Sequence, residues 1–327
     1  MKYKKSKVLA LLIIVVFLII VLIAYKSKSK VNNQKNTADN TSAVSANTTS
    51  STPGSQVEGS SVAVDASSPS WTFDRYQSLM TESGRNPGID QNIFDEIQKR
   101  KSIANDIVDT YLKQKFGTAD PAVEKAFNEV PREYFQYQYQ ENRSFADVTY
   151  ENPASKVKPW PIGWGSALSD YLGQMYMTQI AKPKPDDVVL EIGTGSGYQS
   201  AILSRIVKQV YTIEIIKPLG QAVDQIYKPL GYNNIQARVG DGFYGWPEVK
   251  GGFDIIIVTA AAKYVPPALI DQLKPNGTMV IPVGQPFKRG QVLYIYTKDK
   301  DGRVHSKKDV GVYFIPMTGA ILNPNTK

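Results

Sequence analysis

The 327 residues contain no cysteine and a single histidine, His305. The first absence excludes disulfides, thiolate nucleophiles and cysteine-ligated zinc. The second excludes a multi-histidine metal centre and leaves a Ser-His-Asp triad only one imidazole to run through. No metal site is expected. Chemistry must rest on carboxylates, hydroxyls, backbone dipoles or a bound cofactor. Acidic residues are also missing from one stretch. Residues 1–30 hold lysines at positions 2, 4, 5, 7, 26, 28 and 30 and no Asp or Glu. That cluster accounts for nearly all of the net charge of +8. The rest of the chain is close to neutral, so no nucleic-acid partner is expected.

Those lysines flank residues 8–24, an unbroken apolar run. At ~1.5 Å per residue a helix there reaches ~26 Å, just short of the ~30 Å hydrocarbon core of a bilayer. Tyr3 and Tyr25 fall at its two ends, where an aromatic belt would sit. Residues 1–30 therefore read as a single-pass membrane anchor in contact with the lipid bilayer. A cleaved signal peptide is the rival, but no small-x-small site follows the run. Lysines balance on the two sides, which leaves the side of the following domain open. Residues 31–70 are rich in Ser, Thr, Asn and Ala, carry few charges and contain no aromatic residue. Such a segment cannot bury enough apolar surface to offset chain entropy, and it reads as a disordered linker.

Residues 71–135 read as a helical extension that begins the folded part. Ile93, Ile97, Ile103, Ile107, Tyr111 and Leu112 fall near helical spacing. Asp120-Pro121 offers an N-cap with Pro at the first helical position, and Val123, Phe127 and Val130 follow as a short apolar face. In residues 136–327 the rhythm changes from position 187 onward. Strands are predicted at 188–192, 210–215, 235–239, 253–259, 278–283, 292–297 and 310–315, and helices at 198–207, 219–227 and 266–273. This alternation implies an α/β fold with a mostly parallel, doubly wound sheet. The last two strands are joined only by a turn at Asp301-Gly302, which predicts an antiparallel edge.

The strongest local motif is G-x-G-x-G at Gly193, Thr194, Gly195, Ser196 and Gly197, preceded by Glu191 at the end of the first sheet strand. A dinucleotide fingerprint would place its third glycine where Tyr198 stands. Glu191 and the loop resemble instead the first motif of Rossmann-like class I methyltransferases, which implies S-adenosyl-L-methionine as cofactor. That molecule carries an ammonium, a sulfonium and a carboxylate. An acid at Glu191 and loop carbonyls suit its cations, and a helix N-terminus suits its anion. Glu214 ends the second strand, where a carboxylate can hold ribose hydroxyls. Asp241 and Gly242 follow the third strand, near the expected place of the adenine. Thr259 follows the fourth, toward the reactive end.

A narrower resemblance covers residues 121–317. It rests on Val130-Pro131-Arg132-Glu133-Tyr134-Phe135, Pro161-Ile162-Gly163, the glycine loop, Gly240-Asp241-Gly242 with Gly245-Trp246, Val258-Thr259-Ala260-Ala261-Ala262 and Ile281-Pro282-Val283-Gly284. Together they resemble the protein-L-isoaspartate O-methyltransferases. The resemblance implies a carboxyl O-methyltransferase acting on a protein or peptide substrate with a free isoaspartyl carboxylate. It also implies Ser169 as the active-site residue, at the end of the family's Gln-Thr-Ile-Ser segment. Ser166 and Ala167 replace that segment's Gln and Thr. Read from its neighbours alone, Ser169 is equally an N-cap for the helix that follows. Other acceptor carboxylates, and a non-catalytic binding module on the same fold, are the alternatives. Trp160, Trp164 and Trp246 read as packing residues.

Overall fold

The computed structural model describes residues 63–144, 149–150, 159–285, 290–323 and 325. The anchor and most of the linker expected from the sequence lie outside the described residues. The extension is helical, and its first three helices each start at a side chain that caps them. Helix α1 (Phe73–Glu82) follows Thr72, whose hydroxyl accepts the Arg75 N–H. Helix α2 (Gln91–Phe116) follows Asp90, which accepts from Ile93, and ends at Gly117 with φ 82°. Helix α3 (Pro121–Glu129) begins as predicted, with Asp120 accepting the Ala122 N–H and Pro121 in the first turn. A short helix α4 (Arg132–Phe135) follows.

Two expectations for this region are corrected. The buried face of α2 is Phe94, Ile97, Lys101, Ala104, Val108 and Leu112, while Ile93, Ile103 and Tyr111 are exposed. The true face contains a buried lysine, which interrupts the apolar pattern. Lys101 Nζ is held by the carbonyls of Ala66 and Asn128. The linker also ends earlier than expected. Val64 and Ala66 are buried, and their N–H groups donate to Leu230 and Glu129 carbonyls at 2.8 and 2.7 Å. Two small apolar residues among serines give no periodic signal, so sequence alone assigned them to the linker.

Two hairpins come next: β1 (Tyr137–Gln138) with β2 (Arg143–Ser144), and β3 (Trp160–Gly163) with β4 (Ser166–Leu168). Helix α5 (Tyr171–Ala181) leads into the alternating part. There the elements are β5 (Val188–Ile192), α6 (Tyr198–Ser204), β6 (Gln209–Glu214), α7 (Lys217–Tyr227), β7 (Ile235–Val239), β8 (Phe253–Val258), α8 (Pro267–Gln272), β9 (Leu273–Val283), β10 (Gln291–Lys298) and β11 (Val304–Val312). Their seven strands form one sheet in the order β11-β10-β9-β8-β5-β6-β7. Strands β5 to β9 are parallel, and β10 and β11 are antiparallel, as the tight turn between them required.

The last strand differs from its prediction. It starts at Val304 and ends at Val312, short of Phe314 and Ile315. Residues 304–308 are all exposed on the sheet edge, so no alternation of apolar and polar residues marks them. Alternate residues of the inner strands feed two cores. Val189, Val210, Ile255, Ile257 and Val280 pack on one face, and Leu190, Ile192, Ile256, Val258, Met279 and Ile281 on the other. Strand β5 has β6 on one side and β8 on the other, so strand order reverses there. The crevice beyond the carboxyl end of β5 is where a doubly wound sheet binds ligand.

Candidate active site

Beyond β5 the chain turns through three glycines in the left-handed region: Gly193 at φ 100°, Gly195 at 54° and Gly197 at 88°. A side chain there would be strained whatever the space, and two of the positions also lack the space. A Cβ on Gly193 would collide with the Thr259 hydroxyl, and one on Gly197 would lie 2.7–2.9 Å from the Tyr227 ring and hydroxyl. Tyr198, at the third-glycine position of a dinucleotide loop, is fully buried against Phe127 and Phe135.

The loop borders a cavity of about 280 Å³. Its walls are the loop, Glu191, Glu214, Gly242 and Thr259, with Trp164 to Ser169 from the β3–β4 hairpin and Ile315 to Thr318 from the segment after β11. Glu191 is fully buried. The Ser200 and Thr212 hydroxyls donate to its Oε2, while Oε1 is buried with no hydrogen-bond partner among the described residues. Burial outweighs the two donors and pushes its carboxyl up to about 8. Glu214 is also buried. Its Oε2 accepts the Gly195 N–H at 2.7 Å and its Oε1 accepts the Ile216 N–H at 2.8 Å. Desolvation raises its carboxyl as well, and the backbone donors oppose the rise. Thr194 Oγ1 lies 2.6 Å from Thr212 Oγ1, which fixes the loop to β6.

Eight of the ten residues singled out from sequence line this cavity directly: Ser169, Glu191, Gly193, Thr194, Gly195, Glu214, Gly242 and Thr259. Gly197 turns the chain into α6 just behind the wall. Asp241 is not among the lining residues. Its carboxylate accepts the Phe243 N–H at 2.9 Å and the Ala320 N–H at 2.7 Å, so it ties the C-terminal segment down. Thr259 lines the wall, but its hydroxyl donates to the Ile192 and Gly193 carbonyls at 3.0 and 2.7 Å. Trp164, expected to pack, is exposed at the cavity rim with φ 48°.

A second cavity of about 430 Å³ adjoins the first. It lies between the start of α5 (Leu172, Tyr176, Met177) and the end of β11 (Val310 to Val312), and it is mostly apolar. The two cavities share Ala167, Ser169, Thr259 and Ile315. Ser169 is not the cap of α5. Asp170 is, with its carboxylate accepting the Gly173 N–H at 2.7 Å. The Ser169 hydroxyl makes no hydrogen bond to another described residue, while its carbonyl accepts from Arg132 Nη2 at 2.7 Å. Sequence reasoning gave no role to Arg132, Gln174 or residues 315–318. Their signal is long-range contact, which a single sequence does not print.

The residues fit the cofactor that the sequence implied. The glycine cradle admits close backbone approach, two buried acids border it, and one oxygen of Glu191 has no partner among the described residues, which suits a cationic group. The sequence model of the protein-L-isoaspartate(D-aspartate) O-methyltransferase family matches residues 102–321. The chain is 53% identical over 166 residues to protein-L-isoaspartate O-methyltransferase 1 of Nitrosospira multiformis, covering 51% of this chain and 70% of that one. It is 44% identical over 200 residues to protein-L-isoaspartate O-methyltransferase 2 of Syntrophobacter fumaroxidans, covering 61% and 76%. A solved protein-L-isoaspartate O-methyltransferase superposes with TM-score 0.57 at 25% identity, over 69% of this chain and 67% of that one. Another, from Plasmodium falciparum and solved with S-adenosyl-L-homocysteine, shares the fold with TM-score 0.51 at 22% identity, over 65% and 97%. The chain belongs to the protein-L-isoaspartate (D-aspartate) O-methyltransferase family and is an S-adenosylmethionine-dependent class I methyltransferase.

Proposed function

We propose that the glycine-loop cavity holds S-adenosyl-L-methionine and that the adjoining cavity receives a polypeptide presenting an L-isoaspartyl carboxylate. The observation that carries this reading is the meeting of the two cavities at Ser169 and Thr259. One cavity has the acids and glycines suited to a charged nucleoside. The other is an apolar groove suited to residues beside the modified one. Family membership supplies the substrate class: the enzyme methylates L-isoaspartyl residues.

When bound, the cofactor supplies a methyl group on a positively charged sulfur. The acceptor carboxylate is already an anion, so no strong base is needed, and the lack of a usable histidine or cysteine is no obstacle. The protein's task is alignment, which is worth roughly 7–11 kcal/mol when geometry is right. Glu214 and the loop hold the nucleoside end, and Glu191 offsets positive charge. Ser169, whose hydroxyl bonds no other described residue, would donate to the acceptor carboxylate and orient it.

The test is methyl transfer from labelled S-adenosylmethionine to an isoaspartyl peptide and to its normal aspartyl twin. Transfer confined to the isoaspartyl peptide is expected, and equal transfer to both would overturn the assignment. We also propose membrane attachment through residues 8–24. Its support is the apolar run with lysines on both sides. Full-length protein should sediment with membranes and stay there in high salt. Recovery in the supernatant removes the anchor.

A further inference from the structure

The family match begins at residue 102, yet the fold begins before it. Helix α1, the first part of α2 and the segment from 63 to 72 precede the match. They are joined to the acceptor side of the active site by a chain of hydrogen bonds that is buried for most of its length. Trp71 Nε1 and Gln98 Nε2 donate to Glu133 Oε1 at 2.7 and 2.8 Å. The Tyr150 hydroxyl donates to Glu133 Oε2 at 3.1 Å and accepts the Arg132 N–H at 3.3 Å. The Arg132 guanidinium then donates from Nε to the Thr149 carbonyl, from Nη1 to Gln174 Oε1 and from Nη2 to the Ser169 carbonyl, at 2.8, 2.7 and 2.7 Å. Glu133 is fully buried and Arg132 nearly so.

Resting on the function proposed above, we infer that the segment before residue 102 is a positioning element for the acceptor side, working through Glu133 and Arg132 on Ser169. Three features support this. First, every donor to the Glu133 carboxylate among the described residues is neutral, so its orientation depends on the number and placement of those donors. Two of the three come from outside the family match. Second, Arg132 ends on two residues of the cofactor cavity wall, Ser169 and Gln174, and a guanidinium fork transmits orientation as well as position. Third, Ser169 has no other side-chain anchor among the described residues: its own hydroxyl bonds none of them, and the helix cap is its neighbour Asp170. Loosening Glu133 therefore lets Arg132 and the Ser169 backbone shift together, and misplacement by an ångström can cost about a hundredfold in rate.

The experiment uses the full chain and three variants: Trp71→Phe, which keeps an aromatic ring but loses the donor; Gln98→Leu; and Arg132→Lys, which keeps the charge but not the fork. Two quantities are read. One is kcat on an isoaspartyl peptide beside the dissociation constant of S-adenosylmethionine. The other, independent of any acceptor, is amide hydrogen exchange across residues 166–173. We expect kcat to fall about tenfold or more in each variant, cofactor affinity to change less than about twofold, and exchange at 166–173 to rise. Unchanged exchange together with unchanged kcat per folded molecule, even with a lower Tm, would overturn the inference and reduce the chain of bonds to scaffolding. A wild type that leaves isoaspartyl peptide unmethylated removes the proposed substrate, and the exchange result still decides the positioning role. If Arg132→Lys fails to fold, Trp71→Phe and Gln98→Leu carry the test.

Discussion

The Gly195 N–H donates to Glu214 Oε2 at 2.7 Å, joining the turn after β5 to the end of β6. The bond gives Glu214 two duties. It holds the glycine loop in shape, and it presents a carboxylate to the cofactor cavity.

Glu214→Ala is therefore expected to act twice. It removes a carboxylate from the cavity wall and leaves the half-buried Gly195 and Ile216 N–H groups without an acceptor. S-adenosylmethionine affinity should fall by roughly 1.5–3 kcal/mol, and stability should fall by a similar amount. Calorimetric titration and a thermal melt measure the two effects. An unchanged affinity with a lowered Tm would assign Glu214 to the loop alone.

Glu191 predicts a pH dependence. Its folded carboxyl lies at about 8, above the ordinary 4.5, mainly because burial disfavours the charge. A raised acid binds its proton more tightly in the folded state. Its contribution to stability is complete below the ordinary value and is lost as pH rises through about 8. Wild type should thus lose Tm between pH ~5 and ~9 relative to Glu191→Gln, which keeps an acceptor for Ser200 and Thr212 without the titration. A cationic cofactor group beside Glu191 should draw that proton off. Binding near neutral pH should then release about one proton, visible as a dependence of binding heat on buffer ionisation. Parallel Tm curves for the two proteins would show that Glu191 stays ionised.

Sequence revealed the site unevenly, for physical reasons. The glycine loop was legible because Gly193, Gly195 and Gly197 occupy backbone angles that side chains avoid, and that need is written in composition. The start of α3 was legible because Asp120 and Pro121 act within one turn. Asp241 was placed on the correct strand end, yet its partner Ala320 is distant in sequence, so its orientation was invisible. The same holds for Arg132, whose partners at 149, 169 and 174 assemble only in the fold. The α2 face was misread because Lys101 is buried inside it. A lysine with carbonyl partners breaks the apolar period that sequence reading depends on.

The start of the folded part yields a third prediction. Removing residues 1–59 should leave the Tm of the enzyme nearly unchanged, because Val64, Ala66 and Trp71 all remain. Removing residues 1–70 discards Val64 and Ala66, both buried, and the bonds to Leu230, Glu129 and Lys101. Burial of the Val64 side chain alone is worth ~1.5–3 kcal/mol. The shorter protein should melt several degrees lower. Equal Tm values for the two truncations would return residues 63–70 to the linker.

Ser169 and Asp170 stand side by side and should separate cleanly by mutation. Asp170 accepts the Gly173 N–H at 2.7 Å and caps α5, so Asp170→Ala should cost ~1 kcal/mol of stability. Ser169 has no hydrogen bond from its hydroxyl to the described residues, so Ser169→Ala leaves no donor or acceptor of the fold unpaired. Its Tm should stay close to wild type. If that hydroxyl holds the acceptor carboxylate, its loss appears in the chemistry. Transfer to isoaspartyl peptide should drop by about ten- to a hundredfold, the scale of one charge-assisted hydrogen bond, while cofactor affinity is kept. The deciding comparison is rate per folded molecule against Tm for both variants. A stable Ser169→Ala enzyme that turns over at the wild-type rate would remove Ser169 as the group that orients the acceptor, and its place between the two cavities would carry no catalytic weight.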